Sequence, residues 1–146
     1  MRSFQRLCVF CGSKTGSNPA YREAASELGN LFLEESIGLV FGGGQIGLMG
    51  VISNTILNGG GEAIGVIPHG LAEREVAHER VTELKVVDSM HERKATMAGL
   101  ADGFIAMPGG LGTMEEIAEV LTWSQLGIHQ KPCGILNVEG FYDHFI

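Results

Sequence analysis

Basic residues, cysteines and long apolar runs are all scarce in this 146-residue sequence. Ten Lys and Arg stand against seventeen Asp and Glu, a formal charge of −7. That balance argues against a nucleic acid or an anionic membrane as the main partner, because both select a basic face. It leaves room for a small anionic ligand, which one arginine and a few backbone N–H groups can hold. No stretch approaches the ~20 apolar residues of a membrane span. Met1-Arg2-Ser3-Phe4-Gln5-Arg6 leads into an apolar run of only about five residues, too short for a signal peptide. Three cysteines do not make a disulfide scaffold. Cys8 and Cys11 form a C-x-x-C, but inside a strand-like apolar run. Positions i and i+3 of a strand face opposite ways and lie ~10 Å apart, too far to bridge. They read as small core residues in a reducing cytoplasm. His69, His78, His91, His129 and His144 show no zinc-type spacing, and no G-x-S-x-G nucleophile elbow is present. Neither a metal nor a cofactor is expected.

What the chain has in excess is glycine, 22 residues, about twice average usage. With 45% apolar and 18% charged residues it is neither disordered nor extended, and its length suits one domain. Strand and helix patterns alternate throughout. Strands are read at 7–11, 38–41, 63–67, 84–87, 104–107 and 133–136. Helices are read at 19–35, 47–58, 89–100 and 113–126, with Pro19 in the first turn of one helix and Gly59 ending the next. The last helix presents Met114, Ile117, Ala118, Leu121 and Val120 as its buried face. A polar loop fills 71–81, and Phe141 opens a further helix. The strands are apolar runs rather than alternating ones, as in sheets covered on both faces. The expectation is a doubly wound parallel sheet, an α/β, Rossmann-like single domain over residues 1–146. Ile146 falls inside the last helix pattern, so a longer natural chain is expected.

Ligands of such sheets bind beyond the carboxyl ends of the strands, and three glycine clusters lie there. Gly12-Ser13 follows strand one. Gly42-Gly43-Gly44-Gln45-Ile46-Gly47 follows strand two. Pro108-Gly109-Gly110-Leu111-Gly112-Thr113 follows strand five. Glycine lets the backbone approach a ligand, and the helix N-terminus that follows offers free N–H groups. Three such turns on one edge point to a phosphate, hence to a nucleotide, with Gly12, Ser13, Gly43 and Gly44 among the contacts. Residues 42–47 also fit G-x-G-x-x-G. A dinucleotide site, however, needs an acid at the end of the next strand, and Glu62 precedes that strand. Ser89-Met90-His91-Glu92-Arg93-Lys94 opens a helix on the same edge, where Arg93 can clamp an anion or lie on a solvated helix face. Thr113-x-x-Glu116 fits a helix capping box, and Glu116 is equally placed to aim a carboxylate at a ligand. Glu75, in the polar loop, can reach the same edge or be a plain surface charge.

Pro108-Gly109-Gly110-Leu111-Gly112-Thr113-Met114-Glu115-Glu116 resembles the P-G-G-x-G-T-x-x-E signature of the LOG ("Lonely Guy") family. Its members are cytokinin riboside 5′-monophosphate phosphoribohydrolases, often mislabelled lysine decarboxylases. Met90-His91-Glu92-Arg93-Lys94 resembles that family's M-x-x-R-K. Residues 8–13, 42–50 and 122–132 resemble its other blocks in order and spacing. Ala72-Glu73-Arg74-Glu75 departs from the family at its first position, where plant members carry Pro. The resemblance implies hydrolysis of the N-glycosidic bond of a nucleoside 5′-monophosphate, a cytokinin nucleotide or AMP. It assigns catalysis to Arg93 and Glu116. It assigns substrate contacts to Glu75, Met90, Lys94 and the loop Pro108, Gly109, Gly110, Leu111, Gly112, Thr113 and Glu115. It also implies a homodimer. A nucleotide sensor or carrier of the same fold is the alternative. A decarboxylase would need pyridoxal phosphate on one of Lys14, Lys85, Lys94 or Lys131.

Overall fold

The computed structural model of the chain describes residues 4–71 and 76–145. Six parallel strands form one sheet: β1 (Arg6–Phe10), β2 (Gly38–Phe41), β3 (Ala63–Pro68), β4 (Glu83–Val87), β5 (Phe104–Ala106) and β6 (Cys133–Ile135). Four helices accompany them: α1 (Pro19–Glu34), α2 (Gly47–Asn58), α3 (Met90–Leu100) and α4 (Leu111–Gln125). Every residue of β2 and β3 is buried, whereas the edge strands β4 and β6 are partly exposed. Central strands covered on both faces explain the unbroken apolar runs.

Two separate cores result. Phe32 of α1 and Ile52 and Ile56 of α2 pack with Val9, Leu39 and Phe41 on one face. Met97 of α3 and Ile117 and Val120 of α4 pack with Cys8, Phe10, Val40 and Phe104 on the other. Cys8 belongs to the second core and Cys11 to the first, so the C-x-x-C straddles the sheet and its thiols serve as packing groups. Gly29 lets α1 close on α2; a Cβ there would lie 2.9 Å from the Thr55 side chain.

The sheet order is β4-β3-β2-β1-β5-β6. The chain winds outward from β1 to β4, then returns through α3 to β5 on the other flank of β1. Loops leaving β1 and β5 therefore depart in opposite directions, and a crevice opens between them at the carboxyl edge.

Several local expectations need correction. Helix α4 starts at Leu111 with Gly110 as its N-cap and no side-chain cap. Thr113 is thus the third helical residue, and the Thr113–Glu116 capping box does not form. Its buried residues are Thr113, Ile117 and Val120, while Ala118 and Leu121 are exposed, because the helix meets the sheet along a narrower stripe than its apolar residues would allow. A reciprocal cap forms instead at α3, where Ser89 Oγ accepts from Glu92 N (3.0 Å) and Glu92 Oε2 accepts from Asp88 N (2.9 Å). After β6 the chain makes a short 3₁₀ turn at Val138–Gly140 followed by turns through 145, in place of an α-helix from Phe141.

Candidate active site

A cavity of about 320 Å³ occupies the crevice between the β1 and β5 loops. Gly12 and Ser13 enter it from β1, Gly42 from the end of β2, and Met49 from α2. Met90 and Arg93 come from α3, and Gly110, Leu111, Gly112, Thr113 and Glu116 from the start of α4. The two loops are stitched together, since Met107 N donates to Phe10 O (2.8 Å) and Gly12 N to Pro108 O (3.2 Å).

Arg93 is 4% exposed. Its Nε donates to Val66 O (2.9 Å) and its Nη2 to Gly42 O (2.7 Å). Two strand-end carbonyls thus seat a buried guanidinium, which would otherwise be costly to desolvate. This seat needs glycine at 42, because a Cβ there would lie 2.4 Å from Nη2. A solvated helix face is therefore not what Arg93 occupies.

Without a side-chain cap, the first N–H groups of α4 have no intrahelical acceptor, and the helix dipole places partial positive charge there. They belong to Leu111, Gly112 and Thr113, all of which line the cavity. This end of the cavity is built for an anion. The second glycine turn behaves otherwise. The α2 N-terminus is occupied by Gly12 O, which accepts from Leu48 N (3.1 Å) and Met49 N (3.4 Å). Gly43 O accepts from His78 N (2.8 Å), and Gly44 bridges to Ala77. Gly43 and Gly44 are not brought to the cavity.

Glu116 is half-buried in the second turn of α4 and lines the cavity. Burial first, and the negative charge of Glu116 next, push the Cys8 and Cys11 thiols well up, so both stay protonated at neutral pH. Pro108 and Gly109 line an adjoining cavity with Tyr21, Leu48 and Phe141, which shares Gly12, Ser13 and Gly110 with the first. Lys94 and Glu115 do not line the main cavity. The Lys94 ammonium donates to Glu115 Oε1 and Glu119 Oε2. Glu75 lies outside the described residues. Sequence reasoning missed Met49 and Glu119. The i, i+4 spacing of Glu115 and Glu119 on one helix face was the available signal for the latter.

Fold and cavity define a doubly wound α/β protein whose crevice opens at the topological switch point of the sheet. A family model described as "Possible lysine decarboxylase" matches residues 49–146. The chain is 57% identical to the rice (Oryza sativa subsp. japonica) cytokinin riboside 5′-monophosphate phosphoribohydrolase LOG, over 98% of this chain and 59% of that protein. It is 56% identical to an Arabidopsis thaliana phosphoribohydrolase of the same description, over 98% of this chain and 67% of that protein. The chain belongs to this family, the LOG phosphoribohydrolases, and spans 59–67% of the length of these curated relatives. Among solved structures, the molybdenum cofactor carrier protein of Chlamydomonas reinhardtii shares the fold. Its TM-score is 0.76 at 23% identity, covering 96% of this chain and 81% of that one.

The decarboxylase label does not fit the lysines present. An imine-forming lysine must shed its charge near neutral pH. Burial of Lys94 works in that direction, but its two carboxylate partners outweigh it and hold the pKa above the ordinary lysine value. Lys131 Nζ donates to Ala98 O (2.6 Å) and Lys85 Nζ pairs with Glu83 (3.0 Å). Lys14 is exposed and lines the adjoining cavity rather than the main one.

Proposed function

We propose that the chain hydrolyses the N-glycosidic bond of a nucleoside 5′-monophosphate to a free base and ribose 5-phosphate. What carries the reading is that an uncapped helix N-terminus, the Arg93 guanidinium and the Glu116 carboxylate all open on one cavity. The phosphate sits on the N–H groups of Leu111, Gly112 and Thr113, beside Ser13. Ribose then lies one turn deeper, against Glu116, and the base lies toward Met49, Met90 and Arg93.

As the C1′–N9 bond breaks, its electron pair leaves with the base and positive charge spreads over C1′ and the ring oxygen. The Glu116 carboxylate stabilises that charge and accepts a proton from the water whose oxygen bonds to C1′. Arg93 is charged at every physiological pH. It therefore orients the substrate and stabilises the departing base, which takes its proton from solvent. The curated relatives are named for cytokinin nucleotides, and an N6-substituted adenine nucleotide is the substrate proposed, with AMP as the minimal one.

We place the reaction in the cytoplasm, in keeping with the buried thiols of Cys8 and Cys11. A homodimer is the proposed working unit. Leu111 (85% exposed), Leu126 (69%) and Ile128 (65%) leave apolar surface at both ends of α4 that a second copy would cover. The deciding experiment incubates AMP and N6-isopentenyl-AMP with the protein and separates the products by chromatography. Free base with ribose 5-phosphate is expected. Tight AMP binding with no base released from either nucleotide would replace the hydrolase with a nucleotide carrier.

A further inference from the structure

We propose that Lys94 is a positioning residue, a clamp that holds α3 and α4 together and so sets Arg93 against Glu116. It is 9% exposed, and its ammonium donates to two carboxylates one helical turn apart, Glu115 and Glu119. Successive helical residues point ~100° apart. Arg93 therefore faces the cavity while Lys94 faces α4. The same offset puts Glu116 on the cavity and Glu115 on Lys94. Each cavity residue is the chain neighbour of a clamp residue, and fixing one pair fixes the other.

Both helices rest on the sheet, α3 on β1 to β4 and α4 on β1 and β5, and share one core through Met97, Ile117 and Val120. The Lys94 pairs add a charged tie between the two helices at the level of Arg93 and Glu116, where the width of the cavity is set. The ion arrangement is also asymmetric, with one cation between two anions. Without the ammonium, two carboxylates face each other across a half-buried space and repel. Their uncompensated charge then lies beside Glu116, where it favours protonation of that carboxylate. The kinetic part of the inference rests on the hydrolase reading; the clamp itself does not.

The test uses Lys94→Met, the pair Glu115→Gln/Glu119→Gln, and the triple variant. With the clamp, Lys94→Met and the glutamine pair each lower kcat for AMP by ~10–100-fold, since misplacement of about 1 Å costs that much. KM stays within about threefold, and the triple variant is no worse than Lys94→Met. Lys94→Met also moves the acidic limb of the kcat profile to higher pH. A Lys94 that contacts substrate instead raises KM tenfold or more and leaves the glutamine pair with parental kcat, which overturns the clamp. Hydrogen exchange reads the clamp without turnover: amides in the first two turns of α3 and α4 exchange faster in both variants. Unchanged exchange overturns it. Should the parent protein release no base, the hydrolase reading falls and the exchange result alone decides. Should Lys94→Met fail to fold, the glutamine pair decides, because each glutamine keeps an oxygen that accepts from the buried ammonium while the charge attraction is removed.

Discussion

A methyl group added at Gly42 would meet Arg93 Nη2 at 2.4 Å, and the carbonyl of the same residue is that nitrogen's acceptor. Gly42→Ala must therefore move the guanidinium. Base release from AMP is expected to fall about a hundredfold, the cost of an ångström-scale misplacement, with a modest drop in melting temperature by circular dichroism. Parental activity in that variant would show that the guanidinium need not sit where the carbonyls hold it. Glu116→Gln isolates charge from shape. Gln keeps the shape and hydrogen-bonding reach of Glu and is as good a helix former. Its melting temperature should match the parent within a degree or so, while turnover falls ~10²–10⁴-fold. Near-parental turnover would move the search for the carboxylate to Glu75 or Glu115.

Among the elements, α3 is held at its start. Ser89 and Glu92 cap its start, and Ser89→Ala should cost ~0.5–2 kcal/mol in denaturant unfolding. Thr113→Ala loses no cap. A larger stability loss from Thr113→Ala than from Ser89→Ala would therefore have to come from its packing on Gly109, whose Cβ would lie 2.2 Å from Thr113 Oγ1. The crossover from β3 to β4 is pinned to α2 by His78, 2% exposed. Its Nδ1 accepts from Arg80 N (3.1 Å), so its Nε2 carries the proton donated to Asn54 Oδ1 (2.7 Å). Burial first, then the Arg80 charge, lower its pKa below the ordinary value of 6.5. The sign follows. The unfolded chain binds the proton more readily, so stability is full above about 6.5 and is lost as pH falls through the depressed folded value. Melting temperature should decline between pH 7 and pH 5, and His78→Gln should flatten that decline. An equal slope in both proteins would assign it to the carboxylates.

At the scale of the whole molecule, holding the proposed phosphate on a chain of formal charge −7 takes a local device. That device is the crevice at the switch point, where an uncapped helix and a buried arginine gather positive potential. Adenosine should accordingly be a far poorer substrate than AMP. Charge-assisted hydrogen bonds are worth ~1.5–3 kcal/mol each, so the loss of two lowers kcat/KM by about two orders of magnitude or more. Equal turnover of both would reduce the α4 start to a turn. Light scattering should give twice the chain mass; a monomer that is fully active would leave the apolar surface around α4 without the partner proposed for it.

The sequence by itself determined the layering and the edge. Apolar strand runs, helix periodicity and the order of glycine turns are local patterns, and they specified a parallel sheet with its ligand side at the carboxyl ends. Local pattern left Arg93 and Glu116 open between site and helix face or cap, and only the resemblance to the family signature singled them out; the misplaced acid Glu62 pairs with Arg6 (2.7 Å). Tertiary structure decided which glycines face the cavity. All three clusters follow a strand at the same edge, yet the second is consumed by pairing Gly43 and Gly44 with 77–78, a partner over thirty residues away in sequence. It also decided where α4 begins. Thr113 reads as a cap by local chemistry, but the close passage of Gly12 beside Gly109 (3.2 Å from the Gly12 Cβ position to Gly109 Cα) leaves the helix to open at Gly110. And it decided that the Lys94 ammonium meets Glu115 and Glu119, because only the approach of α3 to α4 brings a lysine onto an i, i+4 carboxylate pair more than twenty residues away in sequence.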